Sequence, residues 1–220
     1  MFKHRRLEPV LALVFVVLWS VVWKWQNPNN PLSTSEVSAY MAQLEQLPLP
    51  PDERTELLNS AKSWMETDDG KPVYMLNLMR FFPELQHYAG GPTDVHMTPE
   101  QSNQLYEDTV IPILAKLGGY PLYFGNIPGK NLIVHDAGLD DWNRTLVVRY
   151  PERRAFMQLI TNPEYIKVLP YKLMSVKVVL TPTVREIAVP EITWALGAIF
   201  LIVWLLVAWR RAVRRQAAAS

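Results

Sequence analysis

The sequence predicts an α+β domain that lies between two membrane-spanning helices. Two apolar segments, residues 9–26 and 190–209, sit near the ends of the 220-residue chain, and each approaches the length that crosses a bilayer core. Between them, apolar runs of strand length alternate with segments of helical spacing. This central part has about 160 residues, enough to bury a core of its own.

Basic residues flank both apolar segments on their terminal sides. Lys3, Arg5 and Arg6 precede the first segment in the N-terminal stretch 1–8, and arginines follow the second in the tail 210–220. Because lysine and arginine accumulate on the cytoplasmic side, both termini are expected in the cytoplasm. The sequence therefore predicts a two-pass protein of the inner (cytoplasmic) membrane with a periplasmic or extracellular central domain.

The first apolar segment also has the outline of a secretory signal peptide, with basic residues before a short apolar run. No small-x-small cleavage site follows Ser20 at the usual distance, and Val37-Ser38-Ala39 lies too far downstream. An uncleaved signal anchor is therefore favoured, and cleavage is the alternative.

The charge and cysteine content of the central part exclude several functions. Residues 27–189 hold 14 basic and 19 acidic side chains, a net charge of −5, which argues against nucleic-acid binding. Cysteine is absent, so no disulfide supports the core and no thiolate serves as nucleophile or metal ligand.

Residues 27–70 are predicted to form a linker and a helical hairpin. Ser33 and Glu36 have the spacing of a capping box, which places the start of the first helix there. Prolines near Pro50 end it, and a second helix opens at Asp52 and Glu53. Asp68-Asp69-Gly70 has the composition of a turn that closes the hairpin.

Residues 71–189 are predicted to form a ferredoxin-like domain. Pro112 is expected to kink or divide the first helix, and 131–135 to extend the second strand or add a short one. The order β-α-β-β-α-β gives an antiparallel sheet with both helices on one face. The elements are expected as strands at 72–82, 120–127, 142–150 and 173–180, and as helices at 98–119 and 152–160, the latter with a further turn to 169.

The predicted elements include the runs Val73 to Leu78, Tyr106 through Gly118-Gly119, Trp142 to Tyr150, Phe156 and Pro163-Glu164-Tyr165. On these residues, this part of the chain resembles a domain-of-unknown-function family within the dimeric α/β-barrel superfamily. The resemblance implies a homodimer whose two sheets close face to face around a cavity. Relatives in that superfamily include small monooxygenases, haem-degrading enzymes and lactone isomerases, and the family itself has no settled activity.

A long loop, residues 83–97, separates the first strand from its helix. It is expected to cover the mouth of the cavity between the two sheets or to reach a partner.

The same loop contains His87, Asp94 and His96, which with His135 are the candidate metal ligands. No helical histidine pair and no His-x-His motif supports them. The sequence therefore predicts no metal and no cofactor.

Polar residues on the predicted strands are the candidate ligand-binding groups. They are expected to converge on a small anionic or polar ligand, with arginine binding it in a bidentate manner. The structural alternative places the arginines and tyrosines at the rim of the sheet and has Asn77 satisfy a neighbouring backbone group. No catalytic arrangement is recognisable. The candidates are Asn77, Arg80, Tyr123, Arg149 and Tyr150.

Two functions are compatible with the sequence. The favoured one is a membrane-anchored binding module or accessory subunit of a membrane complex, supported by the two anchors, the added hairpin and the lack of a catalytic arrangement. The alternative is a small-molecule enzyme of the barrel superfamily, monooxygenase- or isomerase-like, which rests on analogy of fold. The expected partners are a second copy of the chain, membrane lipids and other membrane proteins, and not nucleic acid.

Overall fold

The computed structural model describes residues 7–88, 90–130, 132–133, 141–183 and 192–218. Contacts divide the chain into two units. The terminal unit combines Met1–Asn27 with Glu186–Ser220, and the central domain is Pro28–Arg185.

Within the described residues the chain forms seven helices and four strands. The terminal unit contains α1 (Leu7–Gln26) and α7 (Ile192–Ala217). The central domain contains, in chain order, α2 (Thr34–Leu44), α3 (Pro51–Glu66), β1 (Val73–Phe81), α4 (Pro99–Lys116), β2 (Tyr120–Asn126), β3 (Arg144–Tyr150), α5 (Arg153–Ile160), α6 (Pro163–Ser175) and β4 (Val176–Thr183).

The central domain is α+β and is built on a four-stranded antiparallel sheet. Its strand order is β2-β3-β1-β4, so β1 and β3 are central and β2 and β4 are edges. One helix, α4, connects β1 to β2, as the sequence predicts. Two helices, α5 and α6, connect β3 to β4 where the sequence predicts one helix and a further turn.

Helix α6 is longer than expected, and β4 starts later. The sequence predicts the last helical turn to end at Leu169 and a strand from Leu173, whereas α6 continues through Pro170 to Ser175. The extra turn packs on α4, where the Ser102 hydroxyl donates to the carbonyl oxygen of Tyr171 at 2.8 Å. A short apolar run fits a helix or a strand equally well, so this tertiary contact decides the boundary.

The helical hairpin α2–α3 shares its core with the sheet domain. Ser33 caps α2 as predicted, since its hydroxyl accepts from the Glu36 amide while the Glu36 carboxylate accepts from the Ser33 amide. Leu44 of α2 and Met65 of α3 are buried in the same cluster as Tyr150 at the end of β3. The hairpin therefore extends the hydrophobic core.

Helix α4 begins and ends where its sequence indicates. Thr98 forms a capping box with Gln101, and Pro99 is the first helical residue. Pro112 does not divide α4, which is assigned as a single helix. After the helix, a Cβ on Gly119 would meet the end of the Leu114 side chain, which would have to move to make room for it.

The long loop after β1 packs against α6 and α3. The amide of Gln86 donates to the carbonyl of Met174 at 2.9 Å, and the Tyr88 hydroxyl contacts Glu53 of α3 at 3.3 Å. The possible strand at 131–135 falls largely outside the described residues.

The terminal unit consists of α1 and α7, which pack side by side with opposite chain directions. Trp19 Nε1 donates to the carbonyl of Thr193 at 2.8 Å, and the rings of Phe15 and Phe200 stack with centroids 4.8 Å apart. A Cβ on Gly197 would lie 2.9 Å from Trp19 Nε1, so glycine allows this approach. Both helices are long and apolar enough to cross a membrane.

Candidate ligand-binding cavity

The strand register divides the five predicted ligand residues between the two faces of the sheet. Asn77 and Tyr150 lie on the face that carries the helices. Arg80, Arg149 and Tyr123 lie on the opposite face, because side chains alternate along a strand. The five therefore do not converge on one site, and ligand binding by each of them stays a prediction.

The three residues on the opposite face differ in their surroundings. Arg80 forms an ion pair with Asp141 through Nη1 and Oδ2 at 2.9 Å. Arg149 is buried, and its guanidinium carbon lies 5.7 Å from the centroid of the Tyr120 ring. Tyr123 is 58% exposed on the edge strand β2.

A cavity of about 320 Å³ lies between the sheet and the layer formed by α4, α5 and α6. Its volume is in the range of small-molecule sites. The wall residues Ile111, Phe124 and Leu180 are about half exposed, so the cavity opens to solvent beside them. None of the described residues of the loop 83–97 lines this cavity, and the expectation that the loop covers a cavity between the two sheets of a dimer or reaches a partner stays a prediction.

Three buried tyrosines form the deep wall of the cavity. The rings of Tyr106 and Tyr165 meet edge to face with centroids 5.8 Å apart, and Tyr150 meets Phe156 in the same way at 5.4 Å. Burial raises the pKa of all three hydroxyls above the ordinary value. These tyrosines therefore present flat aromatic walls and neutral hydroxyl groups at pH 7.

The polar end of the cavity is organised around Glu107 of α4. Its Oε1 accepts from Arg144 Nη1 of β3 and from Asn103 Nδ2, each at 2.8 Å. The Arg144 guanidinium carbon lies 4.5 Å from the ring centroid of Phe124 and 5.7 Å from that of Phe81, which adds cation–π attraction. The Glu107 carboxylate therefore has strong donors on both sides.

Asn103 presents a buried acceptor that no described residue satisfies. A carboxylate accepts and does not donate, so the bond to Glu107 fixes the Asn103 amide with Nδ2 towards Glu107 and Oδ1 away from it. Asn103 is 1% exposed, and Oδ1 has no hydrogen-bond partner in the described part of the chain. An unsatisfied buried acceptor costs about 1–3 kcal/mol, which a donor supplied by a ligand would recover.

Lys172 of α6 contributes a buried amine to the same cavity. The residue is 9% exposed, and Nζ lies 5.0 Å from the centroid of the Tyr106 ring. Burial lowers the pKa of Lys172 to about 8, against the attraction of Glu107, which raises it. Lys172 is therefore mostly charged at pH 7 and mostly neutral above pH 9.

Sequence reasoning missed the four residues of the polar end. Asn103 and Glu107 belong to the stripe of α4 that also contains Tyr106 and Val110, and two polar residues four apart on a buried helix face are the signal that points to them. Lys172 within the apolar end of α6 is a similar signal. No pattern in the sequence points to Arg144, because its partner Glu107 is 37 positions away.

The candidate metal ligands do not form a site in the described part of the chain. His96 Nε2 lies 3.1 Å from Asp94 Oδ1, and both side chains are more than 90% exposed. No group of three or more potential ligands comes together among the described residues, and His135 lies outside them.

The comparisons with known proteins identify a shared fold but no family. No family model matches the chain, and no curated protein matches it. The domain-of-unknown-function assignment therefore stays a prediction.

Solved structures that are similar to the chain include those of two proteins. The first is the RPA0582 protein of unknown function from Rhodopseudomonas palustris, at 19% identity and a TM-score of 0.50 over 66% of this chain and 98% of that chain. This likeness shows a shared fold. The second is SnoaB, a cofactor-independent oxygenase from Streptomyces nogalater, at 10% identity and a TM-score of 0.35 over 55% of this chain and 99% of that chain. It is too distant to support a shared activity.

Proposed function

We propose that this protein is a membrane-anchored binding module whose central domain holds a small, largely apolar molecule between its sheet and helices. One observation carries the proposal. A cavity of about 320 Å³ is lined by Asn103, whose buried Oδ1 no described residue satisfies. Buried polar atoms are nearly always hydrogen-bonded, so an exception in a residue of the cavity wall points to a ligand that supplies the donor.

The composition of the cavity wall is that of a small-molecule site. Aromatic and aliphatic side chains make most of it, and a few polar groups meet at one end, which is how pockets combine affinity with orientation. The pair formed by Glu107 and Arg144 fixes Asn103 before a ligand arrives. Less conformational entropy is then lost on binding.

Helices α1 and α7 serve as the anchors in this proposal. Their length and composition suit membrane spans, and the basic residues at both ends of the chain favour cytoplasmic termini with the central domain on the other side. The anchors hold the binding domain beside other membrane proteins, as an accessory subunit of a complex would be held.

The central domain is proposed to form a homodimer of the dimeric α/β-barrel type, with a ferredoxin-like sheet in each copy. The sheet face opposite the helices carries the partly or largely exposed apolar side chains Leu78, Val147 and Val179. Pairing with the same face of a second copy would bury them. This dimer leaves the cavity, on the other side of the sheet, within each copy.

The experiment is a titration of the full chain in zwitterionic lipid nanodiscs with 2-naphthamide, a neutral aromatic probe, read by saturation-transfer NMR against empty nanodiscs. Ile111→Trp fills the exposed rim of the cavity, and Leu105→Trp, on the same helix but outside the wall, is the matched control. Binding to wild type and control with loss in Ile111→Trp supports the proposal. Equal binding to all three proteins overturns it, as does failure of both 2-naphthamide and its anionic analogue 2-naphthoate to bind any of them.

A further inference from the structure

We propose that the cavity selects acids: the molecule it holds is an apolar, flat compound whose carboxylate or similarly acidic oxygen pairs with Lys172. This inference rests on the proposed function, because it names the class of ligand for that cavity. It follows from the charges around the polar end.

The groups that surround Lys172 leave its charge without an equal partner. Glu107 of α4 lies near enough to attract the amine, but its carboxylate accepts from Arg144 at 2.8 Å and from Asn103 at 2.8 Å. The titratable groups Tyr106, Tyr150 and Tyr165 are neutral at pH 7 because burial raises the pKa of each. The polar end therefore holds two cations and one anion.

An excess positive charge in a buried cavity favours an anionic ligand. Removing a charge from water is costly unless an opposite charge or several hydrogen bonds replace the water. In the described part of the chain Lys172 Nζ makes no ion pair, and its neighbour is the face of the Tyr106 ring at 5.0 Å. A ligand oxyanion would supply the missing charge and accept from the amine.

Asn103 adds a second requirement, for a hydrogen-bond donor. Its Oδ1 has no partner among the described residues and accepts from a hydroxyl or N–H group. The ligand class is therefore an aromatic or otherwise flat acid that also carries a hydroxyl or amino group. The three tyrosines enclose its apolar body.

Proton linkage distinguishes an acid ligand from a neutral one. The free amine has a pKa of about 8, so a bound anion, which needs the charged amine, raises that pKa. Affinity for the anion then falls as pH rises above about 8, while affinity for a neutral analogue does not change.

The test compares 6-amino-2-naphthoate with its neutral analogue 6-amino-2-naphthamide on the full chain in zwitterionic nanodiscs, so that both probes carry a donor for Asn103 and differ in charge. We expect wild type to bind the naphthoate about tenfold or more tightly, since bonds to charged groups are the stronger ones. Lys172→Met should remove that preference, so that the naphthoate binds no more tightly than the naphthamide. The control Lys167→Met, on the solvent side of the same helix, should keep it.

A second measurement needs no variant. The naphthoate affinity of wild type should fall about tenfold between pH 7 and pH 9.5, where the carboxylate itself stays ionised. A pH-dependent preference that Lys172→Met removes supports the inference. Equal affinity for both probes at pH 7 overturns the inference but leaves the proposed function intact. If neither probe binds, both the inference and the proposed function are overturned.

Discussion

Arg144 of β3 and Glu107 of α4 form an ion pair with an Nη1–Oε1 distance of 2.8 Å, and both side chains are largely buried. The pair joins the sheet to the helix layer at the polar end of the cavity. It also orients Asn103, whose Nδ2 donates to the same Glu107 oxygen. One ion pair therefore contributes to stability and to the geometry of the candidate site.

Replacement of Glu107 by Gln should destabilise the central domain by about 2 kcal/mol, because Arg144 is left largely buried without its charged partner. Urea unfolding of the full chain in detergent, followed by tryptophan fluorescence, measures this. Asp108→Asn, on the exposed side of α4, should change stability by less than about 0.5 kcal/mol. Equal effects of the two substitutions would show that the ion pair adds nothing.

Glu36 should make stability depend on acid pH. The side-chain hydrogen bonds from Arg154, with those from Ser33, lower the pKa of Glu36 from 4.5 to about 2. The unfolded state then binds the proton first, so this contribution is present above pH 4.5 and is lost as pH falls towards 2. Because Glu36 is partly exposed, we expect at most about 1 kcal/mol.

The measurement is the free energy of unfolding between pH 5 and pH 2.5 for wild type, Glu36→Gln and Glu45→Gln. Glu36→Gln should flatten the pH dependence. Glu45 is exposed at the end of the same helix, so its substitution should leave the slope unchanged. An unchanged slope in Glu36→Gln would contradict the role of its carboxylate.

Gly70→Ala should destabilise the domain by about 2 kcal/mol or more, since the residue has a φ of +72° and an added Cβ would lie 2.7 Å from the backbone nitrogen of Asn30. The backbone near Asn30 would have to move away from the turn at Gly70. Thermal unfolding tests this against Gly129→Ala, where a Cβ meets nothing within 4 Å. A melting temperature equal to that of the control would show that the linker does not pack on this turn.

The proposed homodimer should be disrupted by Val179→Lys and not by Leu180→Lys. These neighbours on β4 have similar exposure, 41% and 44%, but lie on opposite faces of the sheet. A lysine at 179 would charge the proposed interface, whereas one at 180 would affect the cavity. Subunit counting by single-molecule photobleaching in nanodiscs measures the dimer fraction. Disruption by Leu180→Lys alone would place the interface on the helix face.

Local signals in the sequence predicted most of the fold. The capping box at Ser33 and Glu36 and the Thr98-Pro99 start of α4 depend on residues a few positions apart, so they were readable. The end of α6 was not, because its contact with α4 joins Ser102 to Tyr171. Tertiary contact of this kind overrides an ambiguous apolar run.

The candidate site was predictable only in part. Asn77 and Tyr150 line the cavity, but Asn77 and Arg80 are three positions apart on β1 and must lie on opposite faces, as the period of two already implies. Glu107 and Lys172 come together only through the packing of α4 on α6. The sequence alone does not show how the strands pair or how the helices pack. It therefore cannot place Glu107 and Lys172 in one cavity.

The most direct test of the central claim is native mass spectrometry of the full-length protein extracted from its own membrane, for wild type, Ile111→Trp and Leu105→Trp. We predict that wild type and Leu105→Trp carry the same additional small-molecule mass and that Ile111→Trp does not. The same additional mass on Ile111→Trp, or none on any of the three proteins, would contradict the account of the cavity as a binding site.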